Sequence, residues 1–231
     1  MKKGDLIWGA ALAAFVAMLI VPASREAFIG FTSTYVYLGA FLKFVILATM
    51  GELLGGRIAT GDWSKPPGLV WRAIIWGFFG MAIALVFTIY NAGAIAAMAK
   101  GILPGGGLEG FGGTFLTAFF TALIMNVTFA PMLFTVHKFT DTALDLKYGE
   151  KRKGITLNLL IEKIDWNSLV KVTWLRYCLF FWVPMHTLVF LIPSDYSDYR
   201  VLASAFLSIV MGVIGAVTKK PSAAAAAVPA K

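Results

Sequence analysis

Cysteine is almost missing from this chain of 231 residues: Cys178 is the only one. A lone thiol cannot close an intrachain disulfide, so nothing points to an oxidising compartment. Inside an apolar stretch, Cys178 reads as a small buried hydrophobe. Histidine is nearly as scarce, with two residues. At unrelated spacings, these and one cysteine form no metal-ligand pattern, and neither metal nor cofactor is expected. The chain has no His-Glu-x-x-His and no Gly-x-Ser-x-Gly, and no carboxylate pair is read on one helix face. The glycine-rich stretch Pro104 to Gly113 lacks the Gly-Lys-Ser/Thr of a phosphate-binding loop. The chain is therefore not read as an enzyme.

Charge is also in short supply. Asp, Glu, Lys and Arg make up 14% of the residues, against about 25% in an ordinary soluble domain. Apolar residues make up 59%, and the mean hydropathy is +0.79. These values exclude disorder, a coiled coil and a basic nucleic-acid-binding domain. The net charge of +8 reads instead as a set of topology determinants, and no nucleic-acid partner is expected.

What the chain has in abundance is long apolar runs. About 20 apolar residues cross a hydrocarbon core of roughly 30 Å. Six runs approach that length: 6–21, 35–54, 73–99, 114–136, 172–193 and 201–217. The expected fold is all-α, a polytopic transmembrane helix bundle of six spans forming one domain over 1–217. A mobile low-complexity tail is expected over 218–231. The first run follows Lys2 and Lys3 and ends at Pro22, a signal-like layout. It is expected to stay as a first transmembrane helix that also acts as the insertion signal. The third run is longer than the core and must tilt, project or break near Asn91-Ala-Gly93. Between the fourth and fifth runs lies the one long polar segment, His137 to Lys171, with Lys147-Tyr-Gly-Glu-Lys-Arg-Lys153 inside it. It predicts a cytoplasmic amphipathic segment of one or two short surface helices, with Asp165 as an N-cap.

Threading six spans from an inside N-terminus partitions the basic residues sharply. Inside fall Lys2, Lys3, Arg57, Lys65, Arg72, Lys138, Lys147, Lys151, Arg152, Lys153, Lys163, Lys171, Lys219, Lys220 and Lys231; outside fall Arg25, Lys100 and Arg200. This obeys the positive-inside rule. The expected location is a multi-pass position in a bacterial inner membrane, both termini cytoplasmic.

Small residues recur at a spacing of four: Ser204, Ser208, Gly212 and Ala216; Ala118, Ala122, Asn126 and Ala130; Gly51 and Gly55. Residues four apart share a helix face, and small ones let membrane helices approach closely. Polar residues at depth are costly and usually face the bundle interior or water. Lys43, Asn126, Arg176 and His186 are the candidates for lining a polar path. Lys43 and Glu52 are nine apart, on opposite faces of one helix. Glu52 and Arg176, near the cytoplasmic ends of their helices, are the candidate ion pair. Pro131 and Pro184 mark expected helix kinks, Pro184 freeing the carbonyl of Phe180.

Two short motifs resemble those of the peroxisomal-membrane and mitochondrial-inner-membrane protein family (the Mpv/PMP family). The first is Met125-Asn126-Val-Thr-Phe129-Ala130-Pro131, similar to the family's Asp-Gln-x-x-Phe-Ala-Pro. The second comprises Trp182, Pro184, His186, Phe190, Pro193 and Arg200, and Arg72 to Gly77 resembles the family's Arg-x4-Gly helix opening. Met125, Asn126, His186 and Val189 stand where the family has Asp, Gln, Gln and Asn, as in a distant bacterial relative. The resemblance implies an integral membrane protein that forms a channel or pore for small solutes. It supplies no catalytic residues, and the altered polar positions carry over no selectivity. The other reading is a structural or accessory subunit of a larger membrane complex. Expected partners are the lipid bilayer and further copies of the chain or other membrane subunits.

Overall fold

The computed structural model describes residues 2–218; beyond Thr218, the tail read as mobile lies outside them. Among the described residues the chain is helical, without strands. The long helices are α1 (Lys3–Ile20), α3 (Val36–Thr60), α4 (Leu69–Ala99), α5 (Gly110–Leu144) and α9 (Ser197–Thr218). Shorter ones are α2 (Pro22–Thr34), α6 (Leu157–Lys163), α7 (Trp166–Ser168) and α8 (Val183–Phe190). Five helical runs are long and apolar enough to cross a membrane: α1, α3, α4, Gly110–Gly149 and Ser194–Thr218. This is the make-up of a multi-pass integral membrane protein.

The elements differ from the sequence reading in particular ways. The stretch after Pro22, between the first two apolar runs, is the helix α2. Val21 is extended, and Pro22 opens the new helix where its missing N–H is no loss. The third run does not break at Asn91; α4 passes straight through it. Pro131, the other expected kink, lies inside α5, which continues on both sides of it. Around Pro184 the change is larger. Leu169–Trp182 is wound as a π-helix, with the N–H of Val183 donating five residues back to Cys178. Pro184 then sits in the first turn of α8. The winding changes register just before the proline, from the wider π-helix to the α-helix. The fifth run is therefore one split helix over 169–190. Asp165 does cap the helix that leads into it, accepting from the N–H of Ser168 at 3.0 Å.

Neighbouring runs alternate in direction. Trp8 on α1 donates to the carbonyl of Met50 on α3, and Asp5 meets Arg57, so α1 and α3 are antiparallel. Glu52 meets Arg72 while Ala40 lies against Gly80, so α4 reverses α3. Trp76 meets His137 and Asn91 meets Thr121, so α5 reverses α4. Asn126 meets His186 while Phe134 meets Trp182, so the split helix reverses α5. Helix α9 reverses once more and runs parallel to α3: Gly51 packs on Ser208 and Gly55 on Gly212.

This parallel pair is the closest helix contact and explains two of the small-residue stripes. A methyl group added at Gly51 would lie 2.5 Å from the carbonyl oxygen of Ser208, and one at Gly55 2.9 Å from that of Gly212. Backbone meets backbone there, the packing available when lipid gives no hydrophobic drive between helices. The third stripe, Ala118, Ala122, Asn126 and Ala130 on α5, is buried throughout.

The ends of the bundle differ in charge. At one end the start of α1 is fastened to the end of α3. Asp5 accepts from Arg57 Nε at 2.8 Å and from Trp63 Nε1 at 2.7 Å, and Lys2 pairs with Asp62 at 3.0 Å. The Lys2 ammonium and the N–H of Trp63 hold the Asp62 carboxyl below its usual range. The basic segment after α5 emerges at this end too, where the ring of Tyr148 lies against Gly68. Arg25, Lys100 and Arg200 belong to the opposite end, with α2, the turn after α4 and the start of α9.

The α3–α9 contact predicts a clear contrast between two glycine substitutions. Gly51→Ala should cost about 1–3 kcal/mol by forcing the two backbones apart. Gly93→Ala, with nothing within 4 Å of the new methyl, should gain about 0.5–1 kcal/mol from helix propensity. Thermal unfolding of the purified protein in detergent reads both.

Candidate functional site

Arg72 lies in the first turn of α4 and is only 6% exposed. It follows Gly68, whose left-handed φ of 69° turns the chain into the helix. Its Nε donates back to the carbonyl of Pro67 at 2.9 Å. Nη1 reaches Glu52 Oε1 at 3.0 Å and Asp141 Oδ1 at 2.8 Å; Nη2 reaches Asp145 Oδ1 at 2.6 Å and the Asp141 carbonyl at 3.4 Å. The planar fork suits this arrangement, because its donors point to separate acceptors on three sides. Glu52 comes from α3, Asp141 from α5, and Asp145 from the π-turn that extends it. Asp141 and Asp145 stand four residues apart on one face, a carboxylate pair that the sequence reading missed. His137, one turn before Asp141, sits 3.4 Å from its Oδ2 and packs its ring 4.5 Å from that of Trp76.

Deeper in the bundle, Asn126, His186 and Ser204 meet from α5, α8 and α9. Asn126 is fully buried. Its amide nitrogen donates to the carbonyl of Ala122 at 2.8 Å and faces His186 Nδ1 at 3.0 Å. The same Nδ1 lies 3.3 Å from the amide oxygen of Asn126. On the other side of the ring, Nε2 faces Ser204 Oγ at 3.3 Å. The imidazole is held in place by Trp182, stacked at 5.1 Å, and by Phe87, edge-on at 5.5 Å.

These two polar groups line one cavity of about 460 Å³, which runs from Arg72, Asp141 and Asp145 to Asn126, His186 and Ser204. A second cavity, of about 410 Å³, is lined by Lys43, Asn91, Asp198 and Arg200. Helices α3, α4 and α9 line both, in the same order. On α4 the first cavity takes Arg72, Trp76, Ile83 and Phe87; the second takes Ala84, Phe87, Thr88, Asn91 and Ile95. On α9 the first takes Ser204 and Ser208, the second Asp198, Arg200 and Val201. On α3 they take Ala48 and Glu52, and Val36 and Lys43. The cavities therefore follow one another along the bundle, and Phe87 borders both. Its ring packs 4.8 Å from Phe190, which in turn lies 5.6 Å beneath the guanidinium of Arg200.

The structure thus separates the residues singled out in the sequence. Asn126 and His186, 60 residues apart, are brought into contact in the first cavity. Lys43 belongs to the second: it is 3% exposed, with Nζ 3.5 Å from the carbonyl of Asp198 and 5.6 Å from the Phe28 ring. Arg176 lines neither and is exposed. The Glu52–Arg176 pair does not form, because Arg72 holds Glu52; among the described residues Arg176 has no ion-pair partner. Arg72 was visible in the sequence only as a loop cation and as part of a helix-opening motif. Its place one turn after Pro66-Pro67-Gly68, at a helix start, was the usable signal. His137 and Asp141, four apart, were another. Among the described residues, no group of three or more His, Cys, Asp or Glu is placed to hold a metal.

Compared with known protein families, curated proteins and solved structures, the chain matches none.

Arg72→Lys should destabilise the protein by about 3 kcal/mol, since one ammonium cannot serve acceptors on three sides and leaves buried carboxylates unpaired. Chemical unfolding in mild detergent measures it. A loss under about 0.5 kcal/mol, the scale of an exposed pair, would show that the fork is not needed.

Proposed function

We propose that the chain is a six-span integral membrane protein whose interior is a passage for small solutes, held closed at Phe87. The observation that carries this reading is the pair of polar-lined cavities following one another along the bundle with one aromatic side chain between them. Polar groups at membrane depth are costly unless they face one another or water, and here they line both cavities.

Six crossings are supported by the alternating direction of the runs, the split helix over 169–190 adding one to the five long apolar runs. That threading brings the start of α1, the end of α9 and the basic segment around Lys147–Lys153 to one side. By the positive-inside rule this side is cytoplasmic in a bacterial inner membrane. On it, α6 carries exposed Leu157 and Ile161 four residues apart, a surface-lying amphipathic segment. The resemblance to the Mpv/PMP family points to the same class of function.

Two measurements test the proposal. With Cys178 replaced by serine, Lys151→Cys and Lys100→Cys should be labelled by an impermeant maleimide from opposite sides of sealed vesicles; labelling from the same side removes the six-span threading. In proteoliposomes, Phe87→Ala should raise the flux of small polyols by roughly ten-fold, the effect of lowering a barrier by about 1.4 kcal/mol. Flux no greater than that of empty vesicles, for both the wild type and Phe87→Ala, overturns the passage. Stoichiometric co-purification of another membrane protein would then favour the accessory-subunit reading.

A further inference from the structure

The first cavity has an uneven charge balance. Arg72 uses all its nitrogen atoms: Nε on the Pro67 carbonyl, Nη1 on Glu52 and Asp141, Nη2 on Asp145 and the Asp141 carbonyl. No guanidinium donor is left over. On the other side of the balance, Glu52 Oε2 is buried without a donor among the described residues. Three carboxylates line this end of the cavity against Arg72 and the exposed Lys138. An anion entering would meet this acidic group with only the exposed Lys138 as an uncommitted cation, whereas a cation would meet a carboxylate oxygen still lacking a partner.

The walls add a second, independent observation. Phe44, Trp76, Phe129, Phe134 and Trp182 all line the same cavity. Aromatic faces attract organic cations through the ring quadrupole, most strongly where water is excluded. The size agrees as well. At about 460 Å³, the cavity falls within the roughly 300–1,000 Å³ of small-molecule sites. Since Gly51 packs on Ser208, Glu52 and Ser204 stand roughly 7 Å apart along the bundle, at 1.5 Å per residue. A ligand with its charge at Glu52 places its far end beside Ser204 and the indole of Trp182, whose N–H has no acceptor.

We propose that the first cavity binds a small organic ammonium ion, its cationic head beside Glu52 and its apolar body among Phe129, Phe134 and Trp182. This names the solute class for the passage read above and rests on that reading only for the idea that solutes reach the cavity. Trp76 and Trp182 line the site, so indole fluorescence of the purified full-length chain in detergent reports occupancy. Three probes share one aromatic body: benzyltrimethylammonium, benzyl alcohol and benzoate. The ammonium should give saturable quenching and the other two should not. Glu52→Gln should weaken ammonium binding roughly ten-fold, and Phe134→Leu, which leaves the Arg72 cluster untouched, roughly three- to ten-fold. If Glu52→Gln fails to fold, Phe134→Leu decides. Benzoate or benzyl alcohol binding as tightly as the ammonium, or ammonium affinity unchanged in the folded variants, overturns the proposal. Ammonium binding without flux leaves the site standing and removes the passage. Polyol flux without ammonium binding removes this inference alone.

Discussion

The constraint on which the rest of the structure depends is the buried guanidinium of Arg72. A full positive charge at the foot of an apolar helix is tolerable only with its donors matched by acceptors. The chain meets that demand by drawing Glu52 from α3 and Asp141 and Asp145 from α5 and its π-turn onto one side chain. The rotation of three helices about their own axes follows, because α4 must turn Arg72 inward and α3 and α5 their acidic residues. His137 and Trp76, one turn away on α5 and α4, are carried into contact by that rotation.

A second set of contacts fixes the remaining helices. Lipid solvates leucine as well as a neighbouring helix does, so apolar burial alone chooses no partner. What chooses here is close backbone approach and a short polar network. The glycines of α3 admit the backbone of α9 at two successive turns. Asn126, His186 and Ser204 join α5, the split helix and α9 at one depth. Between the Arg72 cluster and this network the walls carry polar and aromatic side chains that do not interlock, and the first cavity is the space between them. Phe87 is large enough to close it from the second.

Much of this was legible in the sequence, and the parts that were not share a physical cause. Long apolar runs, helix caps such as Asp165 and the small-residue stripes are local patterns whose meaning does not depend on what lies opposite. Asn126 and His186 could be named because a polar residue at depth is costly wherever its helix packs. The partner of Glu52 was misnamed: nearness to one end of the bundle pointed to Arg176, and only the rotation of the helices brings in Arg72 instead. The π-winding over 169–182 and the helix α2 were also hidden. A proline in the sequence shows where a regular helix is disturbed but not how the backbone absorbs the disturbance.

By itself, then, the amino-acid order determined an all-helical membrane protein with its cations gathered at one end. Hydropathy, charge and the missing N–H of proline act on each segment as it meets lipid or water, before any helix has a neighbour. Only the tertiary structure decided that Arg72 is the centre of the acidic cluster, that Lys43 and His186 face different cavities, and that Phe87 stands between them. Those outcomes depend on residues 20 to 155 positions apart and on the angle at which each helix faces its neighbours, which no local pattern encodes.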